Sequence, residues 1–353
     1  MKLKLNIIIS PIDFKYKILR LLQKILGKKY YFPFLKFIGD RYLKWRISRN
    51  YISTNRKYKT SSMIVYMADG KANHGGLSDR LRGMVTLYSY CKEVGVEFKI
   101  NFQSPFDLSE FLLPNQVNWT IDEHEISYDF RQAEPIVLLS VLGQMDNSDK
   151  YLKECKKEKS HVMKKLNSCH KNQKHVYTNI GYDDIHFHEL YAELFKPSAK
   201  LSDKINENLA AIGTKYISFV FRFQNLLGDF YEGPFPTLNE SEKNKLIEKC
   251  LSAIERLHQK ENSIPRILVT SDSRRFLDIV NSISYCYTIQ GEVKHMGFTK
   301  DSNSDVYMKS FIDLYMLSLG EKVILAKAPI MYHSGFAKRA SLLGNIGYEE
   351  YVI

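Results

Sequence analysis

The chain contains no Gly-x-x-x-x-Gly-Lys-Ser/Thr run, which argues against a P-loop nucleotide hydrolase. No Gly-x-Gly-x-x-Gly opens a nicotinamide-binding unit, and no Gly-x-Ser-x-Gly elbow offers a hydrolase nucleophile. Asp-x-Asp, the usual carboxylate pair holding a divalent metal on a sugar nucleotide, is also missing. Cysteine is sparse: Cys91, Cys155, Cys169, Cys250 and Cys286 form no Cys-x-x-Cys pair. That usage fits reduced thiols in a cytoplasmic protein and disfavours zinc or a disulfide framework. No apolar run reaches the ~20 residues needed to span a bilayer. Ile7-Ile8-Ile9 is too short for a signal-peptide core.

Acidic residues are nearly absent from the N-terminus. Residues 1–60 carry 16 Lys and Arg against Asp13 and Asp40, so this segment holds +14 of charge and the remainder −2. The basic character therefore belongs to one segment, not to a folded nucleic-acid face. Within it Phe14, Ile18, Leu21, Leu22, Ile25 and Leu26 fall near helical spacing, with Lys15, Lys17, Arg20 and Lys24 interleaved. Such a helix could pack on the body. It could equally lie on an anionic membrane, each basic residue near the lipid contributing about 1 kcal/mol. We favour the second, a peripheral placement on the inner membrane face.

What is abundant is apolar and aromatic, at 44% and 13% of residues, as in a folded globular protein. Met63–Met67, Val96–Phe102 and Ile136–Leu139 read as strands in a first half. Tyr216–Phe221, Ile267–Thr270 and Val323–Ala326 read as strands in a second. Helical patterns over 84–94, 240–259, 274–283 and 337–343 alternate with them. Alternation of this kind specifies an α/β fold with parallel sheets, here as two Rossmann-like domains facing a central cleft. The expected organisation is a basic segment 1–60, a first α/β domain 61–200 and a second α/β domain 201–353. Residues 149–175, rich in Lys, Glu and His, read as a solvated linking helix. His161, His170, His175, His186 and His188 are irregularly spaced and read as surface histidines, not metal ligands.

The most informative stretch runs His74-Gly75-Gly76-Leu77-Ser78-Asp79-Arg80-Leu81-Arg82-Gly83 between a strand and a helix. Paired glycines allow close approach of a ligand to backbone N–H groups, and the helix start favours an anion. Arg80 and Arg82 sit in the first turn, where the helix dipole disfavours cations; an anionic ligand would explain them, as would plain exposure. In open α/β sheets, ligands bind beyond the carboxyl ends of strands. Three features fall there: Arg222, Ser271-Asp272-Ser273, and His333-Ser334-Gly335-Phe336. Together they offer a guanidinium, a carboxylate and an N–H-rich helix start, the makings of a diphosphate nucleotide site.

His74–Gly83, Phe219-Val-Phe-Arg-Phe223, Val269-Thr-Ser-Asp-Ser273 and Ser334-Gly-Phe-Ala-Lys-Arg-Ala340 resemble, in order, the motifs of the fucosyltransferase superfamily. The resemblance spans residues 63–344. It implies a GT-B-type fold, GDP-fucose as donor, no metal cofactor and inversion at the anomeric carbon. By motif, Arg222 would bind the β-phosphate and assist the leaving GDP. Ser271, Asp272, Ser334, Gly335 and Phe336 would contact the nucleotide or its phosphates. Asp313 matches the acidic position before the last strand, and His74, Gly75, Gly76 and Arg80 would line the cleft from the first domain. Asp79 and His74 are the candidates for the base that deprotonates the acceptor. Around Arg222 the chain departs from the family's His and paired Arg, with Phe223 in place of the second Arg. The acceptor is expected to be a glycan or lipid-linked saccharide in bacterial surface polysaccharide synthesis. The alternative is a non-catalytic nucleotide- or glycan-binding protein held at a membrane.

Overall fold

The computed structural model describes residues 38–54, 62–139, 149–182, 184–232, 235–261, 264–297 and 303–353, with only the backbone over 149–155. The Phe14–Leu26 pattern lies outside these residues. A short N-terminal unit contributes a helix, α1 (38–48), whose Ile38, Tyr42 and Trp45 are exposed. The Tyr42 and Trp45 rings lie 5.8 Å apart, and the Arg49 guanidinium sits 5.1 Å from the Trp45 ring.

Residues 51–353 form one compact unit built on two parallel sheets. In the first half the order is β1 (Met63–Ala68), α2 (Leu77–Val94), β2 (Glu97–Phe102), β3 (Leu112–Pro114) and β4 (Ala133–Leu138). Then come α3 (Asp149–Asn167), β5 (Gln173–Thr178), α4 (Phe187–Leu194), β6 (Phe195–Pro197) and α5 (Ala199–Ile212). The second half runs β7 (Tyr216–Phe221), α6 (Glu240–Lys260), β8 (Arg266–Ser271), α7 (Arg274–Val280) and β9 (Cys286–Tyr287). It closes with α8 (Met308–Ser318), β10 (Lys322–Lys327), α9 (Gly335–Gly344) and β11 (Gly347–Val352). The sheets are β2-β1-β5-β4 and β11-β10-β7-β8-β9, and every pairing in both is parallel. This is the two-sheet α/β architecture expected from the sequence.

The central strands are covered on both faces, so they read as unbroken apolar runs. All six residues of β1 and all six of β7 are buried. Helix starts carry side-chain caps at Ser198, Ser273 and Ser334, and a full capping box joins Asn239 to Glu242 on α6. Gly83 has a different use. A Cβ there would lie 2.5 Å from the Thr178 carbonyl oxygen, so only glycine lets α2 seat this closely on the end of β5. The helices α2, α4 and α9 pack together, and Asp184 pairs with Arg339 at 3.0 Å and Lys338 at 3.3 Å, joining the first half to α9.

Three expectations need correction. The segment 149–175 is not one helix: α3 stops at Asn167 and Gln173 opens β5, an interior strand of the first sheet. His175 is not a surface residue but fully buried, with the Tyr51 hydroxyl 2.6 Å from Nδ1 and Gln173 Oε1 3.1 Å from Nε2. Asp313 precedes β10, and the last strand is β11. No helix among the described residues is long and apolar enough to cross a membrane. Cys91, Cys169, Cys250 and Cys286 are free and buried.

Candidate active site

Each sheet has a point where the strand order reverses: between β1 and β5 in the first, and between β7 and β10 in the second. Such switch points open a crevice at the carboxyl ends of the strands. Here the two crevices meet in a single cavity of about 300 Å³. From the first half it is lined by Gly76, Ser78, Asp79 and Arg82 at the start of α2, and by Asn179 after β5. From the second it is lined by Arg222 after β7, by Thr270, Ser271 and Asp272 at the end of β8, and by Ser334, Gly335 and Phe336 at the start of α9. Two helix N-termini therefore open on one space, and their dipoles favour an anion there. The Ser78 hydroxyl donates to the Gly335 carbonyl at 3.3 Å, bridging the two walls.

Arg222 is held firmly. Its Nη1 lies 2.8 Å from Asp272 Oδ2, its Nη2 contacts Glu232 Oε2, and its guanidinium sits 4.7 Å from the Phe230 ring. Asp272 is almost fully enclosed. Its two oxygens also accept the N–H groups of Phe223 at 2.9 Å and Gln224 at 2.7 Å. That clamp fixes the chain leaving β7, where Gln224 adopts φ 52°, an uncommon conformation outside glycine. Burial pushes the Asp272 carboxyl above its ordinary pKa, against the opposing pull of Arg222 and the two N–H groups. Asp272 is thus chiefly the anchor of Arg222.

Glu232 links Arg222 to His295, whose Nε2 lies 3.2 Å from Glu232 Oε1. His295 Nδ1 accepts the Gly297 N–H at 3.1 Å, which places the ring proton on Nε2, facing Glu232. Burial raises the Glu232 carboxyl, but His295 and Arg222 outweigh it and hold the group below its usual range. Asp313 is buried on α8 and receives Lys309 Nζ at 2.7 and 2.9 Å; burial raises its pKa and Lys309 opposes the rise. The Ser334 hydroxyl caps α9 by accepting the Phe336 N–H at 3.2 Å. Thr270 Oγ1, buried in the same wall, meets no hydrogen-bond partner among the described residues.

The cavity brings together Gly76, Asp79, Arg222, Ser271, Asp272, Asp313, Ser334, Gly335 and Phe336. His74, Gly75 and Arg80 lie outside its lining. His74 is fully buried between Tyr66 and Tyr177; its Nδ1–H donates to the Ala72 carbonyl at 3.1 Å, and burial lowers its pKa to about 3. Arg80 is neither exposed nor ligand-facing. Its Nε and Nη1 donate to the carbonyls of Gly75 at 3.1 Å and Ser104 at 3.0 Å, so it braces the glycine turn from behind. Gly75 is required there by its φ of 81°, and a Cβ would lie 2.5 Å from Asp79 Oδ2. Arg82 does face the cavity, donating through Nε to the Asn179 carbonyl at 2.8 Å and pairing with Asp79 Oδ1 at 3.1 Å.

Sequence reasoning missed Glu232, His295 and Tyr332, all in loops without periodicity. Only position could have found Glu232, ten residues beyond Arg222 in the connection leaving β7. No group of three or more His, Cys, Asp and Glu among the described residues is placed to hold a metal ion.

Solved structures share this fold of two parallel α/β sheets. A NodZ alpha-1,6-fucosyltransferase soaked with GDP-fucose matches with TM-score 0.51 at 12% identity, over 80% of this chain and 93% of that one. A mutant of Arabidopsis thaliana FUT1 in complex with GDP matches with TM-score 0.50 at 13% identity, over 97% of this chain and 79% of that one. The chain therefore has the fold of these fucosyltransferases, the GT-B-type architecture. No protein-family model matches the sequence, and no curated protein matches it.

Proposed function

We propose that the protein is a glycosyltransferase that moves fucose from GDP-fucose to a glycan hydroxyl, with inversion and without a metal cofactor. The observation that carries this reading is Arg222, clamped by Asp272 and aimed into a cavity that the starts of α2 and α9 also face. In the reaction the acceptor oxygen attacks the anomeric carbon, the bond to the diphosphate breaks, and GDP departs with the electron pair. Arg222 neutralises the charge that develops on the β-phosphate, assisted by the Gly335 N–H and by the hydroxyls of Ser271 and Ser334, with Phe336 lining the same wall. Asp313 and its Lys309 partner stiffen the nucleotide wall.

The base must stand opposite the leaving group for inversion. Asp79 lines the cavity on the wall from the first half, which supports giving it that place, whereas His74 is not among the lining residues. We assign the acceptor proton to Asp79. Residues 61–200 would present the acceptor and 201–353 the donor, with the basic segment 1–60 holding the enzyme on an anionic membrane that carries a lipid-linked saccharide for surface polysaccharide synthesis.

The test is donor turnover with a panel of saccharide acceptors, read as GDP release. Asp79→Asn should lower kcat by roughly 10²- to 10⁴-fold with little change in donor KM. Turnover of UDP-sugars in place of GDP-fucose would overturn the donor assignment. Activity abolished by EDTA and restored by Mn²⁺ would overturn the metal-free step.

A further inference from the structure

Arg222 carries two carboxylates where one would neutralise it. Asp272 cannot leave, because two backbone N–H groups and near-complete enclosure fix it. Glu232 is held differently. Its backbone N–H is anchored to Asn225 Oδ1 at 2.9 Å, and among the described residues its carboxylate is held by side chains: Arg222, His295 at 3.2 Å and Gln224 Nε2 at 3.4 Å. Arg222 Nη2 therefore meets Glu232 through a side-chain contact, not a backbone one.

We infer that Glu232 is a specificity-determining residue: its carboxylate occupies the anion position on Arg222 that the donor's diphosphate takes, and only a ligand bearing such a group displaces it. This rests on the reading of the cavity as a nucleoside diphosphate site. The geometry is that of a stand-in, because Glu232 Oε2 sits on Arg222 Nη2 as one phosphate oxygen would, while Oε1 turns to His295. The Phe230 ring, 4.7 Å from the guanidinium, and Asp272 remain as its partners when Glu232 is displaced. His295 remains as a donor for the displaced carboxylate. A nucleoside or free sugar has no anion with which to compete and leaves Glu232 in place. The cavity therefore discriminates by charge before it discriminates by sugar.

The test titrates inorganic pyrophosphate, GDP, UDP, ADP and guanosine calorimetrically into the wild type, Glu232→Gln, Glu232→Ala and Arg222→Ala/Glu232→Gln, with melting curves as a check on folding. Both single variants should bind pyrophosphate and GDP at least about tenfold more tightly, a gain of about 1.4 kcal/mol. Guanosine affinity should not move, and the double variant should lose the gain. Equal or weaker pyrophosphate binding by folded Glu232→Gln and Glu232→Ala would overturn the inference, leaving Glu232 as a residue that merely positions Arg222. A pyrophosphate gain without any preference for GDP over other nucleoside diphosphates would support Glu232 as the competitor while overturning the donor reading.

Discussion

Replacing Asp272 by Asn preserves shape and removes one charge, so it isolates what the carboxylate does. Three donors converge on it: the Phe223 N–H at 2.9 Å, the Gln224 N–H at 2.7 Å and Arg222 Nη1 at 2.8 Å. An asparagine offers a single acceptor oxygen, and whichever way its amide turns, its NH₂ group points at a donor. Leaving one buried donor unsatisfied costs about 1–3 kcal/mol. Removing one member of a buried ion pair costs about 3–5 kcal/mol. Glu232 still partners Arg222, so the expected loss lies near the lower end, about 3 kcal/mol, or roughly 6 °C in melting temperature. Urea denaturation at neutral pH measures it directly. A second reading comes from donor affinity, which should fall because Arg222 and the backbone after β7 lose their anchor. A variant within about 0.5 kcal/mol of wild type, with unchanged donor affinity, would refute the assignment of Asp272 as that anchor.

Acid should unfold the protein through its buried histidines. Burial lowers the pKa of His74 and of His175 to about 3, so the folded state binds fewer protons than the unfolded chain below pH 6.5. Stability is therefore complete above pH 6.5 and falls as pH drops toward 3, by about 1.4 kcal/mol per pH unit for each histidine. Denaturation curves at pH 7, 6 and 5 that superimpose would show that neither ring is buried neutral. Gly83→Ala should cost about 1–3 kcal/mol by pushing α2 off the Thr178 carbonyl, with m-value unchanged; a stabilised variant would contradict the close contact. Asp184→Asn should remove part of the acid sensitivity. Burial raises that carboxyl, but Arg339 and Lys338 outweigh it and hold it at about 2, so its stabilisation is present above pH 4 and lost between pH 4 and 2. An unchanged acid limb in the variant would count against the Asp184–α9 link.

The strands that build the two switch points were legible because burial on both faces leaves an apolar run: β1, β7, β8 and β10 all announce themselves. β5 did not, since Gln173 and His175 are polar and are satisfied by internal partners such as Ser127 N–H and Tyr51. α8 hid for the opposite reason. Most of its residues are buried, Lys309 and Asp313 included, so no polar face marks a period. Arg222, Asp272 and Ser334 could be placed by the strand-end rule alone. Two arginines of the same turn could not be told apart: Arg80 points behind the glycine turn and Arg82 into the cavity, a difference set by the close packing of α2 on β5. Glu232 and His295 meet only through loop geometry, which no local pattern encodes.

The central claim is that this cavity binds a guanosine diphosphate sugar through Arg222. Melting the wild type and Arg222→Ala against GDP, UDP, CDP, ADP and their sugar conjugates tests it most directly. The account predicts that GDP and GDP-fucose alone raise wild-type stability, by about 2.7 kcal/mol at one hundred times Kd, and that Arg222→Ala abolishes the rise. Equal stabilisation by UDP, or a rise by GDP that survives in Arg222→Ala, would contradict it.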